Sequence, residues 1–534
     1  MKRIFTLLVL LVSISAQSQI KISGSPISNK NKISDRVPTF EIIPPSTDDI
    51  QDALLQPNIA SIILDAKIDF MKQAQLTVLD NGDKVYKLSI KSENAKALNV
   101  YYDNFKIPEG GKLFIYSPNK KQLLGAYSSL NNSNSNKFAH EYISGNELII
   151  QYDEPSNITS AKININQIGY FLKDTEATEA SASCEVNINC SEGDDWQDEK
   201  KGVVRLLIKV GGQTFWCSGS LVNNTDTDCT PYVLSAEHCT NGSSQADNDA
   251  SIVYFNFESN SCSSTTADAS STMTGFDILA AATATSGSDF ILMRLKDNIP
   301  DSYNPYFNGW KKDNARFDNG VSIHHPSSDI KKISTYTSTL STTSISGGMT
   351  DGYWGVTWAS TTNGHGITEG GSSGSPIFNS NGLIVGTLTG GTSFCVTPTK
   401  TDFYGKVSAH WDLNGSNANQ RLLDWLDPSG LGITELKGTY KPCTNATEEL
   451  AFDEIKVWPN PTSSVLNIKI EHATYIQPTI LIHDLLGKVI IKKQLQNNNK
   501  FFQAIPISNL TAGNYILSIV TSTISNHQSI IIAR

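Results

Sequence analysis

Eight cysteines limit the possible folds of this chain more tightly than any other feature, because all lie between residues 184 and 443 of its 534. They are Cys184, Cys190, Cys217, Cys229, Cys239, Cys262, Cys395 and Cys443. An even number confined to one central stretch predicts disulfides in a single stapled domain of an exported protein. Metal ligation is the competing use of cysteine, yet no CxxC pair or paired Cys/His ligand spacing occurs. The N-terminus agrees with export. Lys2 and Arg3 precede a short apolar run over 4–14, and Ala16 and Ser18 suit a cleavage site, so 1–18 reads as a signal peptide. That run is shorter than the roughly 20 residues a membrane span needs, and no later stretch is long and apolar enough. A soluble mature protein is expected.

The length predicts roughly three or four domains. With 39% hydrophobic and 18% charged residues the chain is globular rather than disordered. A formal charge of −10, with no basic stripe, excludes nucleic acid as a partner. Within 19–183, alternating apolar runs at 86–90, 98–102, 113–116, 147–152 and 161–165 predict strands separated by turns such as Asn81-Gly82-Asp83. A helix is expected within 48–73. The predicted architecture is a β-sandwich without cysteine or a catalytic cluster. Residues 174–183 lack large apolar groups and read as an exposed linker open to proteases.

The unit 184–443 is rich in Gly, Ser and Thr, with short β-runs at 202–210, 252–257 and 383–388. Two glycine-punctuated sets of strands fit a double β-barrel. A second linker at 444–451 leads to 452–534, a small β-sandwich with runs at 466–470, 479–482, 489–493, 515–520 and 528–532. The predicted fold class is therefore mainly β throughout.

Chemistry concentrates in the central unit. In Glu369-Gly370-Gly371-Ser372-Ser373-Gly374-Ser375-Pro376, glycine-flanked turns allow the backbone N–H groups of Gly371 and Ser373 to converge as an oxyanion hole. The Ser373 hydroxyl would then be the nucleophile. His238, directly before Cys239, is the candidate general base. Trp216–Val222 could run antiparallel to 231–235, and a Cys217–Cys239 bridge would close that loop, restraining the unfolded chain by about 3 kcal/mol. Asp289, at the mouth of the apolar run 290–295, can orient the histidine and stabilise the imidazolium. Each residue alone also has a plain structural reading: a loop serine, a core histidine, a strand cap. The order His–Asp–Ser makes them reinforce one another.

The motifs at 216–222, 233–239, 288–295 and 370–378 resemble those of lysyl endopeptidases, an exported bacterial branch of the trypsin-like fold. So do Cys184-Glu-Val-Asn-Ile-Asn-Cys190, Ile323-His324-His325-Pro326, Thr401-Asp402-Phe403-Tyr404-Gly405-Lys406 and Leu422-Leu-Asp-Trp-Leu-Asp-Pro428. The resemblance covers nearly all of 184–430. It implies a chymotrypsin-like double barrel, a His238–Asp289–Ser373 triad, and bridges Cys184–Cys395, Cys190–Cys262 and Cys217–Cys239, leaving Cys229 and Cys443 to pair. It also implies Asp402 at the base of a pocket for a lysine ammonium, against the alternative of a structural turn residue. Two positions depart from the family: Thr389 replaces an expected histidine, and no tryptophan stands near 345–347. Both bear on the strictness of lysine preference. His324 and His325 read as structural.

Trypsin-like zymogens that switch through a new N-terminus carry Asp directly before the nucleophile. Ser372 stands there, so activation is expected by removal of 19–183, which resembles the propeptides of secreted relatives. The landmarks Val457-Trp458-Pro459-Asn460-Pro461-Thr462, Asp484-Leu-Leu-Gly487-Lys488 and Leu510-Thr-Ala-Gly513-Asn514-Tyr515 resemble the type IX secretion sorting domain. The resulting expectation is a monomeric, secreted or surface-attached serine endopeptidase without cofactor, acting on proteins or peptides after Lys or other basic residues. Its other partner would be the type IX secretion machinery. The competing expectation is a catalytically weak protease-fold protein that uses the barrel for binding.

Overall fold

β-Branched and aromatic residues at alternate positions give each unit its strands, since alternate side chains share one face of the sheet. In the strand Lys84–Lys91, Tyr86, Leu88 and Ile90 all enter one core. In Lys162–Phe171, Ile163 and Ile165 enter the same core, and a bulge before Gln167 shifts the phase so that Ile168 and Tyr170 follow them. The computed structural model describes residues 24–29, 33, 37–56, 58–173, 181–267, 271–440, 454–476, 478–484, 488–496, 498–520 and 525–533. The expected signal peptide, most of the linker 174–183, the linker 444–451 and Cys443 lie outside them. Strands dominate the rest, as the mainly β expectation required. Among the described residues no helix is long and apolar enough to cross a membrane.

The N-terminal unit is two sheets packed face to face. One runs in the order Thr39–Glu41, Lys84–Lys91, Glu147–Glu154, Lys112–Tyr116, Leu123–Tyr127. The other contains Ile59–Asp69, Lys162–Phe171, Ala97–Lys106 and Phe138–Ala139. The helix expected within 48–73 is corrected here. Only Thr47–Leu54 and the short Phe70–Gln73 are helical, and the eleven residues Ile59–Asp69 between them form a strand. That strand is paired on both edges and so satisfies the facing edges of Lys162–Phe171 and Gln213–Leu221, which a helix, with its backbone bonded internally, could not do.

The central unit holds two strand sets. The first runs Ser271–Thr274, Ile252–Phe255, Val203–Val210, Gln213–Leu221, Tyr232–Ser235, Phe290–Leu295, Phe276–Ala282, around a core that includes Leu206, Ile208, Val233, Val253 and Met293. The second runs Lys332–Tyr336, Gly320–His324, Pro376–Asn379, Leu383–Gly391, Asp402–Lys406, Tyr353–Val356, Ser341–Thr343, around Tyr336, Trp354, Ile377, Val385 and Tyr404. A third cluster containing Leu234, Phe290, Trp310, Ile323 and Phe378 joins the two sets. The last unit packs Glu454–Trp458, Val465–Ile476 and Asn498–Pro506 against Val489–Gln494, Thr479–His483, Gly513–Val520 and Ser525–Ile532. Leu466, Ile468, Ile480, Leu517 and Ile530 lie in its core.

One connection was not foreseen. Ile59–Asp69 pairs with Gln213–Leu221, so a single twelve-stranded sheet runs from the N-terminal unit into the first strand set of the central one.

Candidate active site

His238 and Asp289 meet because they extend two adjacent strands. Tyr232–Ser235 pairs antiparallel with Phe290–Leu295, opposing Ser235 to Ile291. His238 lies on the short turn Glu237–Cys239 just after the first strand, and Asp289 just before the second. Asp289 adopts φ +58°, in the left-handed region that a non-glycine residue enters only when its surroundings hold it there. Its buried carboxylate accepts the His238 backbone N–H at 3.1 Å through Oδ1 and contacts His238 Nδ1 at 2.8 Å through Oδ2. The ring is therefore fixed with Nε2 as its other nitrogen. Burial pushes the imidazole pKa down, but the hydrogen bond and charge of Asp289, with the charge of Glu237, outweigh it and raise the pKa above 6.5.

Behind Asp289, the neighbouring Ser288 hydroxyl bonds His410 Nδ1 at 2.8 Å, and His410 Nε2 bonds Thr387 Oγ1 at 3.0 Å. Burial holds the His410 pKa down at about 3, so this support is neutral.

Ser373 is placed by backbone. Its carbonyl accepts the Ser218 N–H at 2.8 Å, the Gly374 N–H goes to the Leu388 carbonyl at 2.8 Å, and the Ser218 hydroxyl donates to the Gly371 carbonyl at 2.9 Å. Gly371 and Gly374 both have positive φ, +98° and +79°. A Cβ on Gly374 would also collide with Ser235 Oγ, the Ser218 carbonyl and the Ala236 nitrogen. Among the described residues the amides of Gly371 and Ser373 donate to no protein acceptor. The Cys217–Cys239 bridge brings the histidine turn beside this loop, with Cys239 Sγ 3.8 Å from the Ser373 carbonyl oxygen. No hydrogen bond joins Ser373 Oγ to His238 Nε2; such contacts are often long without substrate.

Ser372 is tied down by a chain that sequence reasoning missed. Ser334 donates its hydroxyl to the Ile367 carbonyl at 2.9 Å, so His324 Nε2–H donates to Ser334 Oγ at 3.1 Å. His324 Nδ1 then accepts the Ser372 hydroxyl at 2.7 Å, and Ser372 Oγ accepts the Glu369 N–H at 3.2 Å. The ring is neutral, its pKa held at about 3 by burial and by the charge of Lys332. His324 is structural, as expected, but its place is at the turn that carries Ser373.

Asp402 is fully buried, on a strand flanked by Gly391 and Val356. Oδ1 accepts the N–H groups of Thr392 and Ser393, each at 3.0 Å. Oδ2 accepts Trp358 Nε1 at 2.7 Å, Thr368 Oγ1 at 2.8 Å and Ser393 Oγ at 2.6 Å. Trp358, Thr368 and Ser393 carried no sequence signal. Among the described residues the buried Thr389 hydroxyl has no partner.

The three bridges Cys184–Cys395, Cys190–Cys262 and Cys217–Cys239 are formed. Cys229 is also disulfide-bonded, and its expected partner Cys443 lies outside the described residues. Among the described residues no group of three or more His, Cys, Asp or Glu side chains could hold a metal ion.

Residues 178–405 match the family model of the lysyl endopeptidase C-terminal domain, and 456–533 match that of the secretion system C-terminal sorting domain. A lysyl endopeptidase of Pseudomonas aeruginosa is 27% identical in an alignment 291 residues long that covers 50% of this chain and 60% of that protein. The similarity thus spans less than two thirds of that relative. Among solved structures, protease Anisep of Arthrobacter nicotinovorans is similar at 16% identity and a TM-score of 0.28, covering 39% of this chain and 91% of its own. A Glu endopeptidase is similar at 16% identity and a TM-score of 0.25, covering 39% of this chain and 85% of its own.

Proposed function

From a central unit of lysyl endopeptidase type and a final unit that is a secretion sorting domain, we propose that this protein is a serine endopeptidase using Ser373, His238 and Asp289. The sorting domain directs export by type IX secretion to the cell surface or the extracellular space. The observation that carries the catalytic reading is the 2.8 Å contact of Asp289 with His238 Nδ1, which leaves Nε2 as the proton acceptor.

In this mechanism Ser373 Oγ attacks the scissile carbonyl carbon while His238 Nε2 takes its proton. Asp289 stays ionised and stabilises the imidazolium. The free amides of Gly371 and Ser373 hold the oxyanion, an effect worth about 3–4 kcal/mol of barrier. His238 then gives the proton to the leaving amine, the C–N bond breaks, and an ester on Ser373 remains. Water, deprotonated by His238, hydrolyses that ester and restores the hydroxyl.

Preference for Lys or another basic residue rests on Asp402. Its oxygens already receive five donors. A substrate ammonium would therefore be read through the Thr368 and Ser393 hydroxyls, which donate to Asp402 and keep lone pairs for the cation. We assign 19–183 as the propeptide, 184–443 as the protease and 452–534 as the sorting domain, in a chain that acts as a monomer.

The test is turnover of Lys-, Arg- and Glu-containing chromogenic peptides by the processed protein. Basic peptides should be cut, and Ser373→Ala should lower kcat on the order of a millionfold. Equal turnover by the two proteins would overturn the triad. Asp402→Asn should cost about tenfold to a hundredfold in kcat/KM for Lys, as expected for a lost charge-assisted contact; a preference for acidic peptides would overturn the pocket.

A further inference from the structure

The strand Gln213–Leu221 turns alternate residues to its two edges. Cys217 stands opposite Leu206 on one side, while the N–H groups of Trp216 and Ser218 point to the other. On that second edge Ser218 holds the Ser373 carbonyl at 2.8 Å. Two residues earlier, Trp216 donates its N–H to the carbonyl of Asn58 at 2.8 Å, and the Asn58 side-chain amide reaches the Trp216 carbonyl at 3.4 Å. The pairing continues away from the site: Ser61 stands opposite Thr214, their hydroxyls 2.6 Å apart and buried, and Ile63 donates to the Gly212 carbonyl at 2.8 Å. Phe171 and Tyr142 of the N-terminal unit pack on the Trp216 indole.

The mechanism proposed above fixes which part of a substrate this edge serves. His238 protonates the leaving amine, so the leaving peptide must depart on the His238 side of Ser373. The Cys217–Cys239 bridge walls that side, and the peptide groups of Trp216 come next. Two residues of extended chain separate Trp216 from Ser218, about 7 Å, so these groups face the second residue or so beyond the scissile bond. An extended peptide binds such an edge as an added strand.

We propose that the N-terminal unit inhibits the unprocessed chain by occupying this edge with its own strand at 58–63. The block falls on the leaving side alone. It excludes peptides that extend beyond the scissile bond and admits small substrates that do not. This inference rests on the serine-protease reading.

The experiment uses the unprocessed full chain, its integrity checked by intact mass, with two substrates sharing the same residues before the scissile bond. One ends in p-nitroanilide; the other is an internally quenched peptide with four further residues. The parent should cut the anilide and discriminate against the long peptide. Ser61→Val, which leaves the Thr214 hydroxyl unpaired, and Ile63→Pro, which removes the N–H given to Gly212, should each raise kcat/KM for the long peptide about tenfold with the anilide unchanged. An unchanged ratio of the two substrates in both variants overturns the proposal. Hydrogen exchange in the Ser373→Ala full chain reads docking without turnover. The Trp216 amide should be protected, and faster to exchange with Ile63→Pro; free exchange in the parent overturns the proposal even in an active enzyme. If Trp216 is protected but no form, processed or not, cuts either substrate, the protease reading fails and the inhibitory role with it, while the docking stands.

Discussion

In the proposed mechanism His238 accepts a proton from Ser373 only while its ring is neutral, so its pKa would set the acid limb of activity. Burial works to lower that pKa, and the Asp289 contact and the Glu237 charge overcome it. The kcat/KM of the processed protein should therefore rise with pH through a value above 6.5. Glu237→Gln removes one of the raising charges and should move that limb to lower pH, with kcat on the alkaline plateau retained. Asp289→Asn should instead drop kcat by about ten-thousandfold through loss of ring orientation. A pH–rate series on the three proteins distinguishes the roles, and an unmoved limb in Glu237→Gln would remove Glu237 from the site's electrostatics. The three triad candidates were legible because each sits in a local pattern: a serine between glycines, a histidine before a cysteine, an aspartate before an apolar run. The surroundings of Asp402 were not. Thr368 and Trp358 lie 34 and 44 residues from it in sequence, and only folding of the second strand set brings them to one carboxylate.

The turn carrying Ser373 shows how an element can be more demanding than any side chain in it. Gly374 combines a left-handed φ with backbone on two sides, from Ser218 and Ala236. Gly374→Ala should destabilise the central unit by more than about 2 kcal/mol, because backbone cannot yield as a flexible side chain would. Thermal unfolding of the Ser373→Ala protein with and without the change measures this, and a shift below about 0.5 kcal/mol would mean that the loop relaxes freely. The motif made that glycine legible as a turn residue. The strand Ile59–Asp69 was not legible, for a definite reason: Ile59, Ile62, Ile63 and Ala66 also fall at i, i+3, i+4 and i+7, the signature of a helix face. What makes it a strand is pairing on both edges, with 162–171 and with 213–215, and neither partner is near it in sequence.

Across the whole molecule, covalent restraint and hydrophobic burial are divided unequally among the units. The three observed bridges all lie in the central unit and close separations of 22, 72 and 211 residues. Each restrains the unfolded chain by about 3–5 kcal/mol, so their combined loss is comparable to the whole margin of an ordinary domain. The C-terminal unit has no cysteine after Cys443 and rests on its own sandwich core of Leu466, Ile468, Ile480, Leu517 and neighbours. The N-terminal unit also lacks cysteine but shares a sheet with the central one. Calorimetry of the full chain carrying Ser373→Ala, which removes the proposed nucleophile, should therefore respond to reduction in three ways. The central transition should fall steeply once the bridges open. The C-terminal transition should stay where it was. The N-terminal transition should fall in part, because unfolding of 213–215 strips one edge of the strand Ile59–Asp69 while its pairing with Lys162–Phe171 survives. If all transitions moved together, the units would be one cooperative body. A fixed N-terminal transition would mean that the shared sheet couples the two units weakly, and the docked strand at 58–63 would then be free to leave once the chain is cut.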